Sequence, residues 1–250
     1  MTTNRELEGR VALVTGGARN IGRAIALALA DAGAAVIVNA RTSRAEAEAV
    51  VAEIEARGGR ALAQLADVTD EAGVAAMVGA GMKRFGRLDI LVNNAAVRDA
   101  SSLDNIDLAT WRYVTGIILD GAFICVKAAL PALRASGNGA IVNIGGMSGH
   151  TGAAGRPHVA AAKLGLVGLT RALAHDLGPD AITVNCVVPG VIDTVRGASS
   201  GAKSAHRREG LLGRQGKPEE VAAVVRTLAG PAGRYVTGQV WHVNGGAYLG

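Results

Sequence analysis

Thr15-Gly16-Gly17-Ala18-Arg19-Asn20-Ile21-Gly22 is the stretch of sequence that decides the fold. A short apolar run at residues 11–15 leads into it, and an Ala- and Leu-rich segment typical of a helix follows at residues 21–32. A glycine-rich turn lets backbone N–H groups approach a phosphate, and the N-terminus of the following helix adds favourable partial charge. Such a turn is a weak signal alone but a specific one between a strand and a helix. The stretch therefore predicts a phosphate-binding turn that opens an alternation of strands and helices.

The same alternation continues outward from this stretch to the end of the chain. Further strand-like apolar runs lie at residues 36–39, 61–65, 89–92, 140–144, 182–188 and 239–243. Helical segments include those at residues 43–57, 108–135, 156–177 and from Pro218 onward. Strands that alternate with helices form parallel sheets covered by helices on both faces, joined by right-handed crossovers. We therefore expect one α/β domain over residues 1–250, a doubly wound parallel sheet of the Rossmann type, with a small lid at residues 193–211.

The composition is typical of a soluble globular protein. Of the 250 residues, 49% are hydrophobic and 19% are charged, which suits a large buried core. Aromatic residues make up only 3%, so Ala, Val, Leu and Ile must fill that core, as in buried parallel strands. The N-terminal residues lack the apolar region of a signal peptide, and no uncharged apolar run approaches membrane-spanning length. We expect a cytoplasmic protein with no membrane partner.

The net charge of +5 raises the alternative of nucleic-acid binding. The basic residues are scattered, however, and no basic run is interleaved with the aromatic side chains that stack on bases. The densest basic cluster, at residues 203–208, lies in a Gly-, Ser- and Ala-rich segment typical of a solvated surface. Cys125 and Cys186 lie in apolar runs, and their spacing fits neither a metal site nor a disulfide framework. We therefore expect no nucleic-acid partner and no metal.

The charges after the second strand indicate which dinucleotide the turn would hold. Proteins that bind NAD place a carboxylate there to accept a hydrogen bond from the ribose 2′-hydroxyl. Here the stretch Asn39-Ala40-Arg41-Thr42-Ser43-Arg44 contains no acid. Arg41, together with Arg19 inside the glycine-rich turn, would suit a 2′-phosphate. Arg41 and Arg44 alone are also compatible with solvated charges at the start of a helix, but Arg19 favours the phosphate. The sequence predicts NADP(H) as the cofactor.

The chain resembles the short-chain dehydrogenase/reductase family from about residue 8 to residue 248. The opening stretch is similar to that family's Thr-Gly-x-x-x-Gly-x-Gly loop, with Asn20 in place of the middle glycine. Asparagine tolerates positive φ better than most residues. Asn93-Asn94-Ala95-Ala96 resembles the family's Asn-Asn-Ala-Gly, and residues 241–246 resemble its closing strand and Gly-Gly turn. The similarity is greatest to the 3-oxoacyl-carrier-protein reductase-like members.

The resemblance implies a set of cofactor-binding residues and an assembly. The implied binding residues are Gly16, Arg19, Asn20, Ile21, Gly22, Arg41, Asp67, Val68, Asn94, Ala95, Lys163, Pro189, Gly190 and Thr194. Family members usually assemble as tetramers through two long helices, here residues 108–135 and 156–177, and the last strand. We expect a homotetramer on that ground.

The same resemblance implies an unusual catalytic site. In the family a tyrosine gives the proton, a lysine one turn later lowers the tyrosine pKa, a serine binds the substrate oxygen and an asparagine supports a proton-relaying water. Lys163 matches the lysine, whereas Val159 stands at the tyrosine position, Gly146 at the serine position and Ile118 at the asparagine position. These replacements lack side-chain hydrogen-bonding groups. Lys163 is therefore the only catalytic residue that the resemblance carries over.

Neighbouring residues offer substitutes for the missing acid. His158 adjoins Val159 but is rotated by about 100° around a helix, and Ser148 and His150 follow Gly146 in a loop expected to border the substrate. Lys163 itself can protonate a substrate if burial depresses its pKa. One positioned general acid contributes about 10²–10⁴-fold, so its loss is compatible with slow turnover.

Two hypotheses stay open. The first is an NADP(H)-dependent oxidoreductase with a non-standard proton donor, acting on a small carbonyl or alcohol. The second is a catalytically degenerate NADP(H)-binding sensor or structural partner of an active relative.

Overall fold

The computed structural model describes residues 5–195 and 210–250 and contains one parallel sheet. Its strands are β1 (Val11–Val14), β2 (Ala35–Ala40), β3 (Arg60–Leu65), β4 (Ile90–Asn93), β5 (Ala140–Ile144), β6 (Thr183–Pro189) and β7 (Val240–Val243). They lie in the order β3-β2-β1-β4-β5-β6-β7, and every neighbouring pair is parallel. The chain winds outward in opposite directions on either side of the β1–β4 pair, which opens a crevice at the carboxyl ends of those strands. The expected doubly wound sheet is confirmed.

Helices cover both faces of the sheet. They are α1 (Asn20–Asp31), α2 (Arg44–Ala56), α3 (Glu71–Phe85), α4 (Leu108–Thr115), α5 (Gly121–Ala135), α6 (Met147–Thr151), α7 (Pro157–Leu177) and α8 (Pro218–Ala229). A π-helical turn, Gly116–Asp120, joins α4 to α5, and such turns are frequent at functional sites. The sequence patterns predicted these elements within a few residues, except for α6. That helix has only five residues, too few to show a helical period.

Alternate residues of each strand feed two separate cores. Val14 and Val38 pack on one face beneath α1, α2 and α8, while Leu13 and Ile37 pack on the other beneath α3 and α5. Burial on both faces explains why the strands read as continuous apolar runs. The helices α1 and α8 pack against each other on the first face, and the carboxyl edge of the sheet carries the polar loops described below.

The helix Leu108–Ala135 is long and apolar but contains Asp120 and Lys127, so it is not an uncharged run. It is the one helix among the described residues that is long and apolar enough to cross a membrane by length and composition. Half of its most apolar window is buried inside the fold, and Ile118, Cys125 and Leu133 pack in the cores. Packing against both α3 and α7 explains this apolar character.

The lid expected at residues 193–211 falls largely outside the described residues, as does the basic cluster at residues 203–208. Only its first three and last two residues belong to the described chain.

Candidate cofactor and catalytic site

The phosphate-binding turn is locked to the end of β4. Thr15 Oγ1 accepts hydrogen bonds from the N–H groups of Asn94 (2.9 Å) and Ala95 (3.0 Å). The Asn94 side chain donates to the carbonyls of Thr15 (2.9 Å) and Gly16 (3.0 Å). A Cβ on Gly22 would lie 2.1 Å from the Gly16 carbonyl oxygen, so only glycine fits there. The sequence-predicted residues of the turn and of the Asn-Asn-Ala stretch therefore meet at the β1–β4 crevice.

Asn20 begins α1 in a left-handed backbone conformation, with φ of 51°. Asparagine is among the few residues other than glycine that adopt this conformation readily. Its side-chain amide also pairs with the backbone of Val195, donating to the carbonyl and accepting from the N–H, both at 3.0 Å. Asn20, buried Ile21 and Gly22 form the first turn of α1, whose N–H groups have no acceptors within the helix. Asn20 therefore adopts a backbone conformation that glycine would also adopt at this position. The helix N-terminus offers N–H donors to an anion.

A cationic patch lies beside this turn, where the adenosine of a dinucleotide would lie. Arg19 precedes α1 and is exposed, and Arg41 is exposed directly after β2. Arg41 Nη1 donates to the hydroxyl of Tyr113 on α4 at 2.9 Å, a contact that raises the pKa of Arg41. Tyr113 carries no sequence signal for this role, because 72 residues separate it from Arg41. The hydrogen bond to Tyr113 therefore fixes the position of the Arg41 guanidinium, which could not be predicted from the sequence.

Asp67 and Val68 follow β3 at the same edge of the sheet. Asp67 Oδ1 accepts hydrogen bonds from the backbone N–H (3.0 Å) and hydroxyl (2.7 Å) of Thr69, and the backbone bond chiefly lowers the pKa of Asp67. Val68 is buried, and its side chain fills the space beside Gly121 on α5. This pair therefore forms a fixed wall next to the cationic patch.

Lys163 projects from α7 to the end of β5. Its Nζ donates to the carbonyl oxygen of Ile144 at 2.6 Å. Burial lowers the pKa of Lys163 to about 8, because removal from water disfavours the ammonium form. The charge of Arg98 lowers this pKa further, whereas Cys186 opposes the shift. Lys163 is thus held in place and gives up its proton more readily than an exposed lysine.

The residues around Lys163 on α7 and on the π-helical turn are apolar. Val159 and Ile118 are buried in one cluster with Ala162 and Leu166. Val97, from the loop after β4, packs against the same cluster. One wall of the site is therefore formed by hydrocarbon side chains. The buried cluster that contains Val159 and Ile118 has no hydrogen-bonding side chain.

Gly146, by contrast, leaves room. Its backbone is extended, and an added Cβ would lie 3.5 Å from Lys163 Cγ and 3.8 Å from Ser148 Oγ. Both are ordinary contacts. The Ser148 hydroxyl therefore lies beside the space into which a side chain at position 146 would project.

The histidines that sequence reasoning considered as substitute acids face elsewhere. His158 is fully buried, with Nε2 at 2.9 Å from Asp99 Oδ2. The His150 ring packs against the rings of His242, at 4.6 Å between centroids, and Tyr248, at 5.4 Å. Burial lowers the pKa of His150 and of His242. The structure therefore gives these side chains packing partners, whereas Lys163 Nζ lies at the end of β5.

The end of β6 completes the crevice. Pro189 is the last residue of β6, and the Gly190 N–H donates to the Val243 carbonyl at 2.9 Å. A Cβ on Gly190 would lie 2.7 Å from Asn244 Cα, so the turn requires glycine. Thr194 Oγ1 accepts a hydrogen bond of 2.9 Å from Arg98 Nη1, a contact that the sequence did not predict.

No group of three or more His, Cys, Asp or Glu side chains within residues 5–195 and 210–250 is arranged to hold a metal ion. The donors at the crevice are backbone N–H groups, guanidinium groups and an ammonium group. These groups suit a phosphorylated organic ligand.

A doubly wound parallel sheet with a glycine-rich turn at the point where the strand order reverses is typical of dinucleotide-binding proteins. The sequence profile of the family described as Enoyl-(Acyl carrier protein) reductase matches residues 16–248. The chain belongs to the short-chain dehydrogenase/reductase family, near its 3-oxoacyl-carrier-protein reductases.

Individual relatives agree with this assignment. A 3-oxoacyl-[acyl-carrier-protein] reductase of Synechocystis sp. is 41% identical over 244 residues, covering 97% of this chain and 98% of the relative. A short-chain dehydrogenase of Burkholderia cenocepacia, solved in complex with NADP, is 40% identical with a TM-score of 0.90, covering 97% and 99% of the two chains. A blue fluorescent protein from a metagenomic library, solved with NADPH, is 39% identical with a TM-score of 0.91, covering 98% and 100%.

Proposed function

We propose that this protein is an NADP(H)-dependent oxidoreductase that interconverts a small carbonyl compound and its alcohol, with Lys163 as the proton-carrying side chain. The observation that carries the proposal is the position of Lys163. Its ammonium group is fixed on the Ile144 carbonyl at the end of β5, and burial brings its pKa to about 8. A group with a pKa near the working pH is suited to general acid–base chemistry.

The crevice fits NADP(H). The required glycines at positions 22 and 190 leave the backbone accessible, and the first turn of α1 offers N–H donors to the pyrophosphate. Arg19 and Arg41 would hold the 2′-phosphate. The remainder of the cofactor would be bordered by Asp67, Val68, Asn94, Ala95, Lys163, Pro189 and Thr194. The NADP and NADPH complexes of the two structural relatives support this assignment.

When bound, NADPH supplies a hydride to the carbonyl carbon. The chain must then supply one proton to the carbonyl oxygen. We assign this proton to Lys163 Nζ, which afterwards takes up a proton from water. Ser148 Oγ, which lies beside the open space at Gly146, would donate a hydrogen bond to the same oxygen. Val159, Gly146 and Ile118 stand at positions where the resemblance puts the tyrosine, serine and asparagine, so the usual phenol is replaced by hydrocarbon.

This replacement sets the expected rate. Loss of one positioned general acid costs about 10²–10⁴-fold. Proximity and orientation of the reactants remain and are worth several kcal/mol. We therefore expect slow but measurable turnover, with Lys163 as the residue on which it depends.

The second candidate function is a cofactor-binding protein with little or no turnover. The apolar cluster around Val159 and Ile118 favours it, because the resemblance assigns these two positions to the family's proton relay and both side chains are packed into one hydrophobic core. Such a protein would act as a sensor of NADP(H) or as a structural partner of an active relative.

One set of assays separates the two functions. NADPH oxidation is followed with small ketones, aldehydes and oxo esters for the natural chain, Lys163→Ala and the control Lys127→Ala, which removes an exposed lysine on α5. Turnover that disappears only in Lys163→Ala supports the enzyme. The degenerate protein is supported if the natural chain gives no turnover and a triple variant does. The triple variant combines Ile118→Asn, Gly146→Ser and Val159→Tyr. Turnover that survives Lys163→Ala removes Lys163 from the mechanism.

We also propose that the protein is a cytoplasmic homotetramer. Phe123 on α5 and Leu164 on α7 are about half exposed, and Trp241 is exposed on the edge strand β7. Large apolar side chains exposed on these elements suit burial between subunits. Light scattering after gel filtration tests the assembly, and a monomer at micromolar concentration would contradict it.

A further inference from the structure

A series of buried side-chain hydrogen bonds joins two neighbouring strands of the sheet to α7. Asn93 Nδ2 at the end of β4 donates to Asn143 Oδ1 on β5 at 2.8 Å. Asn143 Nδ2 in turn donates to Thr170 Oγ1 on α7 at 2.9 Å, and the Thr170 hydroxyl donates to the Leu166 carbonyl at 2.7 Å. Asn143 and Thr170 are fully buried, and Asn93 is nearly so. These hydrogen bonds therefore hold α7 on β5 from inside the core.

The same strand and the same face of α7 also carry the contact of Lys163. Ile144, which directly follows Asn143 on β5, accepts the hydrogen bond from Lys163 Nζ at 2.6 Å. Lys163 precedes Thr170 by seven residues, or about two helical turns, so both side chains lie on one face of the helix. Two hydrogen bonds therefore join this face to β5, one at the carboxyl edge of the sheet and one about 10 Å further along the helix.

Cys186 lies close to both of these contacts. It is the neighbour of Asn143 across the β5–β6 pair and is fully buried. Burial raises the pKa of its thiol to about 11, and Lys163 and Thr170 both oppose that rise. The other charged group that acts on Lys163 is Arg98, from the loop after β4. Burial nevertheless has a larger effect on the Lys163 amine than either of these groups, so the position of the amine in the fold governs its chemistry.

The hydrogen bond between Asn143 and Thr170 restricts how α7 can lie on β5. If the helix slid or rotated, the amide and the hydroxyl would lose their partners inside the core. A buried polar group that is left unpaired costs more free energy than its hydrogen bond contributes. The lysine side chain, by contrast, is a flexible four-carbon stem that does not by itself fix the position of its amine. The position of Lys163 Nζ therefore depends on a hydrogen bond made two helical turns away.

We propose that Thr170 is a positioning residue, which holds α7 through Asn143 so that Lys163 Nζ stays at the end of β5. This proposal rests on the proposed function, in which Lys163 carries the proton. Without the bond, α7 can shift on β5 and carry the amine away from the reacting atoms. A displacement of about 1 Å from the productive geometry lowers a rate by up to about 100-fold. The displaced amine is also better hydrated, so its pKa rises toward that of an exposed lysine.

The test compares two substitutions of Thr170. Thr170→Val keeps the shape of the side chain but removes the hydroxyl, whereas Thr170→Ser keeps the hydroxyl. In Thr170→Val we expect kcat for carbonyl reduction to fall by about 10- to 100-fold, with KM for NADPH changed by less than about twofold. The midpoint of its pH profile should move above 8, because burial is the main cause of the low pKa of Lys163. Thr170→Ser should keep the kcat and the midpoint of the natural chain.

Thr183→Val is the matched control. Thr183 is another buried threonine, at the start of β6, and its hydroxyl has no hydrogen-bond partner within the part of the chain that the structure describes. The substitution makes the same atomic change without breaking a side-chain hydrogen bond, so kcat and the midpoint should not change. Equal changes in Thr170→Val and Thr183→Val would overturn the proposal. A Thr170→Val variant that unfolds at lower urea concentration but keeps the natural kcat and midpoint would also overturn it, because Thr170 would then be a structural residue only.

Two further measurements cover the remaining outcomes. If Thr170→Val does not fold, Thr170→Cys takes its place under the same criteria, since a thiol is a weak hydrogen-bonding group. If no carbonyl compound is turned over, the proposed function fails, and NMR then tests Thr170 by itself. The carbon-13 signal of the lysine side chain that disappears in Lys163→Ala is titrated with pH in the natural chain and in each variant. A midpoint that rises in Thr170→Val but not in Thr183→Val supports the positioning role, and any other pattern contradicts it.

Discussion

His158 and Asp99 form a partly buried hydrogen bond, with 2.9 Å between Nε2 and Oδ2, which ties the first turn of α7 to the loop after β4. The His158 side chain is fully buried. This bond holds the loop that carries Arg98. His158 is therefore a structural residue.

Replacement of His158 should lower stability and leave the proton chemistry unchanged. His158→Ala removes a buried ring and its hydrogen bond, so we expect the free energy of unfolding to fall by about 2–4 kcal/mol. Urea unfolding measures this loss, and His175→Ala, an exposed histidine later on α7, serves as the control. The pH dependence of NADPH oxidation should keep its midpoint in His158→Ala. A shifted midpoint would show that His158 takes part in proton transfer.

The same bond should make stability depend on pH through Asp99. The hydrogen bond from His158 lowers the pKa of the Asp99 carboxyl. Because the folded pKa lies below the unfolded value of about 4, the contribution is present above that pH and is lost as pH falls through the folded pKa. The difference in unfolding free energy between the natural chain and Asp99→Asn should therefore shrink below about pH 4. A constant difference across that interval would contradict the assignment.

Lys163 should set the pH dependence of both directions of the reaction. Its pKa of about 8 means that the ammonium form declines as pH rises through 8. Carbonyl reduction, which uses the ammonium proton, should slow above this pH, whereas alcohol oxidation, which uses the free amine, should accelerate. Arg98→Gln should raise the midpoint, because removal of a nearby cation favours the ammonium form. Rates measured from pH 6 to 10 in both directions test the assignment, and parallel profiles for the two directions would refute it.

The cofactor preference should depend on Tyr113 as well as on Arg41. Arg41→Ala removes a charge-assisted bond to the 2′-phosphate and should weaken NADPH binding by about 10- to 100-fold. Tyr113→Phe removes only the hydroxyl that orients Arg41, so we expect a loss of about two- to fivefold. NADH binding should change in neither variant. Fluorescence titration with both nucleotides measures these effects, with Arg44→Ala as the control because Arg44 pairs with Glu48 on the surface.

Equal losses for NADH and NADPH would show that Tyr113 supports the fold rather than the 2′-phosphate site. A loss in Arg44→Ala as large as that in Arg41→Ala would mean that general surface charge sets the affinity.

The residues at this site differ in how far they could be predicted from the sequence. The turn at Gly16 to Gly22 was predictable, because its glycines stand at fixed offsets between an apolar strand and a helix. The contacts of Arg41 with Tyr113 and of Arg98 with Thr194 were not, since they join residues 72 and 96 positions apart. Periodicity and local propensity contain no information about such pairs. The apolar surroundings of Val159 likewise depend on the packing of α4 and the π-helical turn against α7.

Gly146 and Val159 should differ in how they tolerate the side chains that the resemblance associates with their positions. A Cβ at position 146 makes only ordinary contacts, the nearest at 3.5 Å from Lys163 Cγ, and the backbone there is extended. Gly146→Ser should therefore leave the free energy of unfolding within about 0.5 kcal/mol of the natural chain. Gly145→Ser is the matched control, because its Cβ would lie 2.9 Å from the buried Cys186 sulfur and should cost about 1–3 kcal/mol.

Val159→Tyr, unlike Gly146→Ser, should lower the free energy of unfolding. Val159 is buried in the cluster with Ile118, so a phenol ring at this position must displace packed neighbours or turn toward the crevice. Overpacking costs typically about 1–3 kcal/mol, and we expect Val159→Tyr alone to be destabilised by that amount. Ile118→Asn, added to it, should restore part of the stability, since it gives the phenol a polar neighbour and relieves crowding. Urea unfolding of the single variants and the double variant measures this coupling. Strictly additive losses would show that the two positions do not share one cavity, and that the apolar cluster is not a repacked proton relay.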